Sequence, residues 1–218
     1  MKERFMLNKK IFYFRAMFVC IGWFGIVGHI VLKIATRVDM SVLEAVISSI
    51  SYYTIQTNII GMVCLTYALI AMHKGYKPLH PYIRAGITLY ISLTFALYTI
   101  FLAKLWQPHG LEAILSYISH YITPIAVIID WFLYEKYERQ ASFKKRYIIT
   151  WLLYPLLYLG YALTYGHFTG RYMYPFIHLP SLGVISLLRN VSILILLYII
   201  LGSVLIRTSQ ILSVEKVR

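Results

Sequence analysis

The feature that most constrains this chain is a succession of six long apolar runs, at roughly 11–34, 46–72, 84–103, 113–134, 147–166 and 184–206. A hydrocarbon core about 30 Å thick needs about 20 residues of α-helix to cross it. Inside lipid only a helix or a closed barrel satisfies every backbone group. The runs are continuous rather than alternating, so the reading is helical. The chain is therefore expected to be all-α: a polytopic membrane protein with six transmembrane helices in a single domain over 1–218. Of the 218 residues, 60% are hydrophobic and 13% charged. A soluble domain carries about a quarter charged residues. That composition excludes a disordered chain, a disulfide scaffold and an ordinary cytosolic enzyme.

The formal net charge of +13 would suggest a nucleic-acid partner in a soluble protein. Here the placement of the charges decides. Sixteen of the 21 basic residues fall on one side of the six spans. They are Lys2, Arg4, Lys9, Lys10 and Arg15, then Lys74, Lys77 and Arg84, then Lys136, Arg139, Lys144, Lys145 and Arg146, and finally Arg207, Lys216 and Arg218. Lys33, Arg37, Lys104, Arg171 and Arg189 fall on the other. The positive-inside rule then places both termini in the cytoplasm. The expected partners are membrane lipids, not nucleic acid; oligomeric state is not legible. The first apolar run extends to Leu32, beyond a signal core, and no small-residue cleavage site follows, so it is expected to be a retained helix. Gly22, Gly25 and Gly28 on it suit close helix packing. Cys20 and Cys64 are expected to be small buried apolar residues.

Strongly polar side chains in hydrocarbon usually face the bundle interior and mark function. On the second run, Thr54, Thr57, Asn58 and Gly61 sit at i, i+3, i+4 and i+7 and share a face. On the fourth, Ser116, His120, Thr123 and Pro124 do the same. Counted from helix starts near Val46 and Ala113, Thr54 and His120 lie at equal depth, roughly 10 to 12 Å below the outer surface. An imidazole can take the proton of a threonine hydroxyl as it attacks a carbonyl. Nearby donors such as Asn58 would stabilise an oxyanion. The bland readings stand beside this. Thr54 can bond its own i−4 carbonyl, Asn58 can be helix glue, and Pro124 can simply kink its helix. Asp130, ten residues past His120, is expected to pair with Lys136 or a water. His29 and His120 could in principle ligate a haem. There is no G-x-S-x-G, H-E-x-x-H or phosphate-loop motif, and no cofactor or metal is expected.

Three segments carry a family resemblance: Thr54-Ile55-Gln56-Thr57-Asn58, His120-Tyr121-Ile122-Thr123-Pro124, and Gly170-Arg171-Tyr172-Met173-Tyr174-Pro175-Phe176. Together they resemble the androgen-induced-gene family of six-helix membrane proteins, and its bacterial branch in particular. The resemblance implies an integral protein of a bacterial cell membrane. It also implies an intramembrane hydrolase of fatty acid esters, extending to those of hydroxy fatty acids. Thr54 would be the nucleophile and His120 the base, with Thr57, Asn58, Thr123, Tyr174 and His29 lining the substrate site. The alternative is a noncatalytic lipid-binding or transport protein that uses the same polar cluster.

Overall fold

A computed structural model describes residues 2–137 and 143–215, with side chains described for 9–134 and 143–212. Of the basic residues above, Arg139, Lys216 and Arg218 lie outside the described residues. Helices α1 (Lys2–Ala35), α2 (Val42–Ile50), α3 (Tyr53–Lys74), α4 (Pro81–Leu97), α5 (Gly110–Tyr117), α6 (Thr123–Tyr137), α7 (Tyr147–Thr169) and α8 (Leu179–Glu215) follow in order. Six helical rods are long and apolar enough to cross a membrane. This is the make-up of a multi-pass membrane protein, and no strand occurs among the described residues.

The packing falls into two compact units, Met1–Arg139 and Gln140–Arg218. In the first, α1 packs on α2, α3 and α5, and α4 packs on α3 and α6. Its core gathers Ile26, Met62, Leu65, Ile91 and Val127, flanked by Trp23 and Ile59. The three α1 glycines make this packing possible. A Cβ added at Gly22 would stand 2.0 Å from Met62 Sδ, one at Gly25 2.5 Å from Ile118 Cγ2, and one at Gly28 2.5 Å from Leu115 Cδ2. Cys64 is buried, but Cys20 is exposed, against expectation. It sits on the face of α1 away from the core, where an apolar thiol suits lipid.

The second run differs most from its expected form. It is two helices, broken at Ser51 and Tyr52. The Ser51 hydroxyl bonds back to the Ile47 carbonyl at 2.6 Å, and Tyr52 is extended (φ −71, ψ 133). α2 starts with a capping box: Ser41 Oγ accepts from the Glu44 amide and Glu44 Oε2 from the Ser41 amide, which satisfies two amides left over at a helix start. The third and fourth rods each contain one widened π-turn, Tyr98–Leu102 and Ile118–Ile122.

In the second unit, α7 ends at Gly170 (φ 71, ψ 0), a left-handed position that glycine takes without a Cβ penalty. Asn190 Nδ2 donates to the Phe176 carbonyl at 3.0 Å, tying the segment before α8 to that helix. Gly183 (φ 70, ψ 167) breaks α8 near its start, so the uninterrupted helix begins where the sixth apolar run begins.

Candidate functional site

The site lies in the first unit, between the first turn of α3 and the π-turn that joins α5 to α6. Pro124 explains that turn. Proline has no amide hydrogen, and its ring would meet the carbonyl four residues back, that of His120. Widening the preceding turn relieves this: the Thr123 amide bonds to Ile118, five residues back. His120 is at the middle of the widened turn.

Thr54 Oγ1 stands 3.3 Å from His120 Nε2, and each residue is 7% exposed. On the other side of the ring, His120 Nδ1 lies 2.9 Å from the Ser116 carbonyl and 3.1 Å from the Ser116 hydroxyl. A carbonyl only accepts, so Nδ1 carries the proton of the neutral ring. Nε2 then presents its lone pair toward Thr54. The proton is assigned from its bonding partners, the same logic by which a carbonyl or carboxylate sets the tautomer in nucleophile–base pairs.

The imidazole is also held flat. The Tyr98 ring stacks on it at 3.8 Å between centroids and 15° between planes. Trp106 meets it edge-on at 6.2 Å. The Ser116 hydroxyl donates to the Tyr98 hydroxyl at 3.3 Å. Tyr98 opens the other π-turn, so the two irregular turns face each other across the ring.

Asn58 does not play the part expected of it. Its Nδ2 donates to the Thr54 carbonyl at 2.8 Å and to the Ser119 carbonyl at 2.9 Å. Both amide hydrogens are thus engaged, and none is left for an oxyanion. The opposite amide orientation would set oxygen against two carbonyls, so this assignment stands. Asn58 instead ties α3 to the π-turn and fixes the spacing of Thr54 and His120. Thr57 is likewise structural in its bonding, with the Tyr53 carbonyl at 3.0 Å and Thr94 Oγ1 at 2.7 Å.

Four polar atoms around this bonding remain enclosed and unpartnered: Asn58 Oδ1, Ser119 Oγ, Thr123 Oγ1 and His29 Nε2. Ser119 adjoins Asn58 through its carbonyl, and His29 lies beside the Leu115 backbone. Native interiors leave few such atoms unpaired, and each calls for a reason. The His120 Nε2 lone pair is directed at the Thr54 hydroxyl. Among the described residues no group of three or more His, Cys, Asp or Glu could hold a metal ion.

Groups 3.3 Å apart share a depth, as expected, but the count from helix starts near Val46 and Ala113 does not give it. Thr54 is in the first turn of α3, whereas His120 is deep within the Gly110–Tyr134 span. Tyr174 belongs to the second unit, buried and stacked on Phe176 at 5.1 Å. Asp130 pairs with Arg15 and Arg84, each at 2.6 Å; the side chain of Lys136, its expected partner, lies outside the described ones. Tyr98 and Trp106 carry no sequence signal for a role at His120. Ser116, four residues before His120 on the same face, did carry one. Comparison of the chain with protein-family models, with curated proteins and with solved structures finds no match.

Proposed function

We propose that the protein is an intramembrane lipid ester hydrolase, with Thr54 as nucleophile and His120 as general base. The observation that carries this reading is the 3.3 Å approach of the Thr54 hydroxyl to a ring nitrogen whose partner nitrogen is held by a carbonyl. A nucleophile–base pair shows this arrangement, with looser distances before substrate binds.

In the reaction, His120 Nε2 takes the Thr54 proton as Oγ1 attacks the ester carbonyl. The tetrahedral oxyanion collapses, the C–O bond to the alcohol breaks, and the imidazolium returns its proton to the leaving alkoxide. Water, deprotonated by the same nitrogen, then attacks the acyl-threonine and releases the acid. The start of α3 adds the positive end of a helix dipole beside Thr54. In this reading the substrate is a fatty acid ester, a lipid that brings its carbonyl into a bundle of membrane spans. Both termini are placed on the cytoplasmic side by the basic excess.

The test is hydrolysis of p-nitrophenyl laurate and of lipid esters by the purified full chain in detergent. Wild type turns over, and Thr54→Ala and His120→Ala do not. If wild type binds fatty acyl lipids with no turnover, the noncatalytic lipid-binding reading replaces this one.

A further inference from the structure

A second buried polar cluster lies about 15 Å from the Thr54–His120 pair, ten residues along the α6 rod from His120. Arg15, Arg84 and Asp130 are 4%, 3% and 4% exposed. Arg15 Nε bonds to Asp130 Oδ1 and Arg84 Nη2 to Asp130 Oδ2, both at 2.6 Å. Two guanidinium groups therefore share one carboxylate, and the cluster keeps one positive charge in excess.

The remaining contacts do not remove that excess. Arg15 Nη1 reaches the Ala68 carbonyl at 3.4 Å and Met72 Sδ at 3.7 Å. Arg84 lies over the Tyr134 ring at 4.2 Å, which offsets part of its charge. Arg84 Nε is enclosed with no acceptor. Arg15 Nη2 and Arg84 Nη1 bond to nothing among the described residues. One arginine and one aspartate would latch two helices with no net charge; here a second arginine brings in the third helix. The second leaves unspent donors and charge inside the bundle, where both are costly.

We propose that this cluster seats the phosphate of an anionic phospholipid. Guanidinium donors match phosphate oxygens in a forked geometry. The depth is that of a headgroup: Arg84 is three residues inside a span that begins at Pro81, and Arg15 four residues inside the apolar run that begins at Ile11. Lys9 and Lys10 precede the apolar run that carries Arg15, and Lys74 and Lys77 precede the helix that carries Arg84. Basic sites between membrane helices on such a face take anionic headgroups. The site is independent of the Thr54–His120 chemistry.

The experiment titrates the detergent-purified full chain with phosphatidylglycerol, phosphatidylcholine or inorganic phosphate. It reads retained lipid by native mass spectrometry and thermal unfolding alongside. Phosphatidylglycerol alone is expected to stay bound and to raise the unfolding temperature. Arg84→Gln weakens retention about tenfold or more. Arg84→Lys, which keeps the charge and loses the fork, weakens it less and serves where Arg84→Gln does not fold. Asp130→Asn removes the competing carboxylate and strengthens retention. Equal retention by wild type and both Arg84 variants overturns the proposal. So does loss of retention in Asp130→Asn, the mark of a purely structural ion pair. Equal stabilisation by inorganic phosphate also overturns the lipid assignment, and identifies a free anion as the occupant.

Discussion

The Thr54 hydroxyl and His120 Nε2, 66 residues apart in sequence, stand 3.3 Å apart in the interior of the first unit. Neither helix achieves this by regular geometry alone. α3 begins one residue before Thr54, and the His120 helix is widened by a π-turn. If the pair works as a unit, Thr54→Ala and His120→Ala each lower ester turnover by about 10²- to 10⁴-fold, the usual weight of such groups. The double variant is little worse than either single one. Steady-state kinetics on the three variants checks this; independent, multiplicative losses would speak against a unit.

The account separates Ser116 from Tyr98. The ring nitrogen is held chiefly by the Ser116 carbonyl, which survives Ser116→Ala. That variant is expected to keep kcat within about tenfold. Tyr98→Leu removes the stacked ring and lets the imidazole turn, so kcat falls further while KM changes little. Tyr98→Phe, which keeps the ring, recovers most of the loss. Nitrogen NMR of the His120 ring adds a readout unrelated to turnover: the Nδ1–H form dominates in wild type and loses its dominance in Tyr98→Leu.

Asn58 is expected to matter for stability before it matters for chemistry. Asn58→Leu strips the donor from the Ser119 carbonyl inside the bundle, while the Thr54 carbonyl keeps the Thr57 hydroxyl at 3.2 Å. The cost is about 1–3 kcal/mol for the group left unpaired. A thermal shift in detergent measures it, and an unchanged melting point would contradict the role given to Asn58.

Gly25 gives a packing prediction. A Cβ there would stand 2.5 Å from Ile118 Cγ2, on the π-turn that carries His120. Gly25→Val should therefore destabilise the protein by about 1–3 kcal/mol. It should also lower activity beyond what the loss of folded protein explains. Gly160→Val, where a Cβ meets nothing within 4 Å, is the control.

The spans were legible because long apolar runs have few readings in a helical chain. The break at Ser51 and Tyr52 was not, since nothing in an uninterrupted apolar pattern marks one serine that turns its hydroxyl back to Ile47. Spacing placed Thr57 and Asn58 on the Thr54 face, but it could not say that each would divide its bonds between carbonyls of its own helix and a group on a neighbouring rod. Arg15 and Arg84 counted among the basic flanks, where long side chains ordinarily reach outward to headgroups. Their turn inward depends on Asp130, 115 residues from Arg15, and no local pattern encodes a partner at that distance. Tyr98 escaped notice for the same reason: one of twenty tyrosines, it is distinguished only by the ring it lies on.

The most direct test of the central claim is to treat the purified chain with a lipid-tailed fluorophosphonate and locate the adduct by peptide mass spectrometry. The account predicts a phosphonylated Thr54 in wild type and none in Thr54→Ala or His120→Ala, with all three proteins folded. An unmodified Thr54 in active wild type, or an adduct mapped to another residue, would contradict it.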